Sequence, residues 1–222
     1  MLDNRLQMIY DMIPCTELMC DIGTDHGKLP VHCVKQGKTD RALACDLRRG
    51  PLSSCQKLVV KEGLTEKIDT LLSDGFVSIP DEVFEKVGCF VLAGMGGELI
   101  MKILIDRHCN SFMILQPQSA VHELVEFLLT NGYDIITRRF CKDGDKLYTA
   151  MLVKYDGTVR QTNLFYGCEK SDVYYEYLNH ELKKCEISLN GLLLAKNADM
   201  TRIEYINRIK TAVIGELRHE SN

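Results

Sequence analysis

Three acids stand at comparable places in the first third of the chain: Asp21 in ELMCDIG, Asp46 in RALACDL and Asp74 in LLSDG, each at the end of an apolar run. An acid closing the second of two neighbouring parallel strands can accept hydrogen bonds from both hydroxyls of a ribose, the usual nucleoside logic of a doubly wound sheet. Around Asp21 the string DIGTDHG adds Gly23 and Gly27, which let backbone approach a ligand closely. Glycines also serve an ordinary strand-to-helix turn, and that string alone does not separate the two readings. Asp74 and Gly75 place a third acid on the same carboxyl edge, where open parallel sheets bind ligands. Neither G-x-G-x-x-G nor G-x-x-x-x-G-K-[ST] occurs, and an acidic first loop repels a pyrophosphate. It suits a ligand with a sulfonium and an ammonium, which points to S-adenosylmethionine as the cofactor.

Other residues carry less. The fourth apolar run, LAGMGG, lacks the [DN]-P-P-[YF] turn that grips an exocyclic amine, so ring-nitrogen chemistry fits better. The amides of Gly94, Gly96 and Gly97 can form a polar concavity with Met95 against a base face, or the glycines can merely relieve crowding at the following helix. Arg48 and Arg49, with Lys57 and Lys61, and Arg138 and Arg139 further on, offer a local phosphate-binding surface; solvation of an ordinary surface is the equal alternative. His32, His108, His122, His180 and His219 have no spacing relation to a nucleophile or to one another. The ten cysteines show no C-x-x-C spacing, and several lie in apolar runs, so we expect reduced, packed thiols with no disulfide and no metal.

Positioning these groups requires alternating strands and helices. Strands are expected at 17–23, 41–47, 67–75, 88–97 and 111–117, with helices between them, which argues a parallel sheet covered on both faces. After a helix at 121–132, YDIITRRF and KLYTAMLVKYDG read as an antiparallel hairpin joined by CKDGD. From Ser171 on, Tyr175, Leu178, Leu182, Cys185, Leu189 and Leu192 step by three and four. Ile206, Ile209, Val213 and Leu217 continue after NADM, giving an antiparallel helical pair. Such a pair serves either as a packing appendage or dimer contact, or in substrate recognition. The expected domains are 1–157 and 158–222. With 45% hydrophobic and 26% charged residues, the 222-residue chain is an ordinary globular α/β protein. No apolar run is long enough to span a membrane and the first residues lack a signal-peptide core, so the expected compartment is the cytoplasm. The net charge of -4 means that a nucleic-acid partner must be met by a local patch. The nine basic and nine acidic side chains of residues 158–222 leave the whole excess of negative charge on the first domain.

In order and spacing, DIGTDHGKLP, the acid of CDLRRGPL, SDG, LAGMGGELI and ILQPQS resemble the bacterial tRNA (adenine(22)-N1)-methyltransferases over roughly residues 1–160, and more loosely beyond. The resemblance implies a Rossmann-like class I methyltransferase sheet with a small coiled-coil-like helical domain. It also implies transfer of a methyl group from S-adenosylmethionine to N1 of an adenine in the D-arm region of tRNA. Asp21, Gly23, Asp46, Asp74 and Gly75 match the cofactor motifs; we add Gly27, Ala93 and Gly94. The stretch from Met95 through Gly96 to Gly97, and Gln116, Pro117 and Gln118, match the edge facing the base. For such chemistry Asp25 is the candidate to stabilise the positive charge arising on adenine, unless it caps the next helix. His26 would orient the base or carry its proton, and Gln116 would fix the base edge. Two alternatives stay open: a methyltransferase acting on a small molecule or a protein, and a non-catalytic nucleoside- or RNA-binding module.

Overall fold

The computed structural model describes residues 2–194 and 199–218, which fall into two compact units divided at Gly167. Unit one is built on a seven-stranded sheet: β1 (Thr16–Ile22), β2 (Thr39–Asp46), β3 (Ile68–Leu72), β4 (Cys89–Met95), β5 (Phe112–Pro117), β6 (Tyr133–Asp143) and β7 (Lys146–Tyr155). Their order is β3-β2-β1-β4-β5-β7-β6, with β1 to β5 parallel and β7 antiparallel to both neighbours. The chain starts at the centre, winds outward through β2 and β3, and then returns to the other side of β1. That reversal between β1 and β4 opens a crevice at their carboxyl ends.

Alternate residues along the central strands face opposite layers. Met19, Val91 and Ile114 pack under α1 (Asn4–Met12), α2 (Lys28–Lys35) and α3 (Arg49–Lys61). Cys20, Leu92 and Leu115 pack under α5 (Gly97–Asp106) and α6 (Val121–Thr130), together with Phe84 of the short α4 (Asp81–Phe84). Strands buried on both faces read as continuous apolar runs, which is why the sequence marked them.

The sequence reading assigned no helix at the N-terminus, yet α1 is well specified. Asp3 caps it, its Oδ1 accepting from Leu6 N at 2.7 Å, and Met8, Ile9 and Met12 are buried. Each such side chain stabilises the docked helix by about 1.5–3 kcal/mol. The hairpin is longer than expected: CKD extends β6, and the chain turns at Gly144. The first unit also extends past the expected boundary at 157. Residues 158–167 fold back on it, with Leu164 and Phe165 buried, Arg160 N donating to Leu129 O, and Gly167 O accepting from Arg138 N.

Unit two consists of α7 (Asp172–Leu194) and α8 (Met200–Arg218). Tyr174 Oη donates to Glu216 Oε2 at 2.8 Å while Lys210 pairs with Glu186 at 3.2 Å, so the helices run antiparallel. The buried stripe holds Tyr174, Tyr177 and Glu181 where Tyr175 and Leu182 were expected; Leu178, Cys185, Leu189, Ile206, Ile209 and Val213 fall as expected. Asn197 and Ala198 of NADM, and His219, lie outside the described residues.

Candidate active site

The first loop leaves β1 and crosses the end of β2: Gly23 N and Thr24 N both donate to Cys45 O, at 2.8 and 2.9 Å. It then bends through left-handed backbone at Asp25 and Gly27, with φ of 51° and 72°. A side chain at Gly27 would put its Cβ 2.4 Å from Cys55 Sγ, so the residue type there is set by the approach of α3 as well as by φ. Asp46 closes the far side of this loop. Its carboxylate, 4% exposed, accepts from Arg48 N at 2.8 Å and Asp25 N at 3.4 Å, with Arg48 Nε at 3.5 Å.

Asp21 is 5% exposed, and burial pushes its carboxyl up to about 6. Thr24 pulls it down, Asp46 pushes it further up, and Arg5 pulls it down. Asp25 and His26 are exposed, 3.6 Å apart. The capping alternative for Asp25 is not realised, because the N-cap of α2 is Gly27 and makes no side-chain cap bond.

On the other side β4 carries a bulge. Ala93 pairs with Gln116 and Met95 with Pro117, leaving Gly94 as the extra residue at φ 76°. Gln116 Oε1 accepts from Gly94 N at 3.1 Å and from Arg5 Nη1 at 3.0 Å, while its Nε2 donates to Pro117 O at 3.0 Å. These two walls enclose a cleft of about 510 Å³ at the carboxyl edge.

The cleft gathers Asp21, Gly23, Asp25 and His26 from the first loop, Arg48 from the second, and Ala93, Gly94 and Gln118 from the bulged side. Several expectations need correction. Gln116 is fully buried and spends its amide on Arg5, Gly94 and Pro117, so it shapes the wall and offers no edge to a base. Pro117 is buried. Gly97 is buried too: its N–H donates to Ser119 O, and a Cβ there would meet Ala120 O at 2.6 Å, so it relieves crowding as one reading allowed. Gly94 and Gly97 thus have their N–H groups engaged within the protein, and the expected concavity of free amides is not formed. Met95 reaches toward Gly23, whose Cβ position lies 3.1 Å from Met95 Cε, and Gly96 faces Ser119.

Asp74 stands exposed after β3 and, like Asp46, is not among the side chains that line this cleft, and Gly75 packs on Ile103. Arg138 is not a surface cation. It is 0% exposed, with Nε donating to Thr149 Oγ1 at 3.1 Å and Nη1 to Leu164 O at 2.9 Å, because the returning segment 158–167 covers it. Arg139 is half-buried; Arg48 and Arg49 are exposed where α3 begins.

Sequence reasoning missed Asp3, Arg5 and Leu6, which line the cleft from α1. Asp3 ahead of an apolar i, i+1, i+4 pattern marked the helix, but nothing local marked Arg5 as facing the site. Among the described residues, no group of three or more His, Cys, Asp and Glu could hold a metal ion, and no helix is long and apolar enough to cross a membrane. Burial pushes the thiols of Cys33 and Cys55 up to about 12 and 11, leaving them poor nucleophiles.

Comparison with known proteins agrees with this geometry. The methyltransferase domain family matches residues 2–151. The tRNA (adenine(22)-N(1))-methyltransferase of Bacillus subtilis (strain 168) is 30% identical over 199 residues, covering 82% of each chain. Among solved structures, an uncharacterized protein of Listeria monocytogenes serotype 4b superposes with a TM-score of 0.85 at 28% identity, over 98% of this chain and 100% of that one. M. capricolum TrmK, in complex with its cofactor product S-adenosyl-homocysteine, gives 0.81 at 26% identity over 98% of both. The 30% identity to the B. subtilis enzyme over 82% of each chain, with the methyltransferase domain matched over residues 2–151, makes this chain a member of the tRNA (adenine(22)-N(1))-methyltransferase family.

Proposed function

We propose that the protein transfers a methyl group from S-adenosylmethionine to N1 of adenine 22 in tRNA, in the cytoplasm. The observation that carries the reading is the meeting of Asp21 and Asp25 in one cleft at the sheet's switch point, with Asp46 bonded to the Asp25 amide, in a chain of this family. The cleft volume is that of a small-molecule site, and its acids suit a cationic ligand. Bound there, S-adenosylmethionine supplies a methyl group made electrophilic by its sulfonium.

The protein's own residues do the rest. Asp46 has lone pairs beyond those taken by its two backbone donors, and these accept from ribose hydroxyls. Asp21 is buried where an ammonium would offset its desolvation. Adenine N1 carries a lone pair, so no base need deprotonate it; the ring turns cationic as the methyl arrives. Asp25 answers that charge and accepts from the exocyclic amine, with His26 beside it to carry the proton lost later. The Asp25 carboxylate faces solvent in the free protein, so its influence grows when RNA covers the cleft and excludes water. Arg48 and Arg49 meet phosphates at the rim, and unit two adds RNA contacts with little charge penalty, given the even count of acids and bases in residues 158–222.

The test is incubation with methyl-labelled S-adenosylmethionine and bulk tRNA, followed by digestion to nucleosides. The label is expected in 1-methyladenosine and absent when adenine 22 is replaced by guanine. Label in any other nucleoside, or only in protein or small molecules, would overturn the reading.

A further inference from the structure

Charge is divided unevenly between the two faces of the unit-one sheet. Residues 26–39 and 47–61, which carry α2 and α3, hold seven lysines and arginines and no acid. Residues 74–132, which carry α4, α5 and α6 on the opposite face, hold eight acids and three lysines and arginines. In a chain of net charge -4, the side of α2 and α3 is thus basic while the other side is acidic.

The basic side is continuous with the cleft. Lys28, the first residue of α2, lines both the cleft and a second groove of about 290 Å³ against α3. His32 and Lys35 follow Lys28 at steps of four and three, so all three share one helix face along that groove, with Leu58 and Glu62 of the α3 side across it. Glu62 is the one acid among the described residues lining the groove, and Lys35 already holds it at 2.6 Å.

Further along, Arg49, Lys57 and Lys61 stand exposed on α3 at steps of eight and four. These three and Lys28 make no ion pair among the described residues. Like charges at the i, i+4 spacing of Lys57 and Lys61 destabilise a helix, so the fold itself gains nothing from them; an anion outside it does. Lys28 and Lys35 alone span about 10 Å of α2, about three phosphate steps of a nucleic-acid strand and too far for one small anion to bridge. Among polyanions, continuity with the cleft selects RNA, because the neighbours of the target nucleotide must leave across its rim.

We propose that the tRNA strand beside adenine 22 leaves the cleft past Lys28 and Arg48 and lays its phosphates over α2 and α3. The acidic side of α4 to α6 repels the same strand and so fixes the direction of approach. This rests on the cleft being the site of tRNA methylation, as proposed above.

The test compares two variants of the full chain with the same change in net charge. Lys57→Gln/Lys61→Gln alters the basic side; Lys86→Gln/Lys102→Gln alters exposed lysines of the acidic side. Binding of labelled tRNA is followed by fluorescence anisotropy between about 50 and 200 mM salt. The α3 pair is expected to weaken tRNA about tenfold at the lower salt and to make the logarithmic salt slope shallower by about 1.5 to 2. The control pair is expected to stay within about twofold, and calorimetry with S-adenosylhomocysteine is expected to match wild type for both. Should the α3 pair melt early, Lys57→Ala/Lys61→Ala, with the best helix former at both positions, decides by the same comparison.

Unchanged tRNA affinity and slope in the α3 pair would overturn the assignment. Equal losses in the two pairs would do the same, since net charge alone would then account for them. A wild type that binds S-adenosylhomocysteine but no tRNA would instead strike the proposed function.

Discussion

The two walls of the cleft are built in different ways. The wall of β1 and β2 comes from one short stretch, Asp21 to His26, closed by Asp46 through backbone bonds to Asp25 and Arg48. The opposite wall is assembled from Arg5, the Gly94 bulge, Gln116 and Gln118, and its central bond joins residues 111 positions apart. A wall coded locally presents its charges wherever its own loop forms. A wall coded at a distance exists only while α1 is docked on the sheet, so its parts should act on one another. Changes in the first wall should therefore act singly and strongly, and changes in the second should be smaller and coupled.

The largest effect is expected at Asp21. In the folded protein its carboxyl keeps the proton up to about pH 6, against an ordinary 3.8. Between those values the folded state binds the extra proton, so the stability from neutral Asp21 is fully present below about pH 4 and is lost as pH rises to 6. The difference is about 3 kcal/mol as an order of magnitude. Asp21→Asn should thus melt several degrees above wild type at pH 8 and close to it near pH 4, by calorimetric scans without ligand. Binding of S-adenosylhomocysteine by wild type should strengthen as pH rises through 6, as the carboxylate forms to meet the ammonium, and Asp21→Asn should flatten that slope. An unchanged pH dependence of melting would remove Asp21 as a buried acid.

Next come the two groups joined by the Asp25 amide. Asp25→Asn should leave cofactor affinity and melting near wild type while single-turnover methyl transfer falls about a hundredfold, or about 2.7 kcal/mol. Near-normal transfer would leave Asp25 as a bystander on an exposed loop. Asp46→Ala should weaken cofactor binding about tenfold or more, about 1.4 kcal/mol, and lower melting as well, since the Arg48 and Asp25 amides lose their acceptor. Unaltered affinity in a folded Asp46→Ala variant would contradict the ribose role.

The same contrast explains what the sequence revealed. The parallel core, the hairpin and the helical pair follow from period and from turn residues, which are local, and so does the first loop. Arg138 and Arg139 are adjacent and alike in sequence, yet only Arg138 is covered by residues 158–167, and no spacing encodes that cover. Asp74 shares its local pattern with Asp46, but Asp46 is buried and holds the Asp25 amide while Asp74 stands exposed. Arg5 and Gln116 were invisible as a pair because what joins them is the packing of Met8, Ile9 and Met12 on the sheet, a property of α1 and the strands together. Local grammar finds the acids; the cation opposite them needs the tertiary fold.

The smallest effect, and the one that probes coupling, is expected at Gln116. Gln116→Leu keeps most of the buried volume and removes the oxygen that accepts from both Arg5 and Gly94. The bond to Gly94 N is neutral and that to the Arg5 guanidinium is charge-assisted, but exposed Gly94 and half-buried Arg5 can both turn to water, which leaves a net loss of about 1 kcal/mol, so kcat/KM for tRNA should fall about fivefold. A base contact and a wall contact then differ in a double-variant cycle. If Gln116 touched the base, its loss would multiply with that of Arg5→Gln, because the two would then act independently. If it acts through the Arg5 guanidinium and the bulge, as its burial requires, much of what either change removes is already gone in the other variant. The double variant should then be little worse than Arg5→Gln alone. Fully additive losses would uncouple the second wall and leave Gln116 as a separate contributor to methyl transfer.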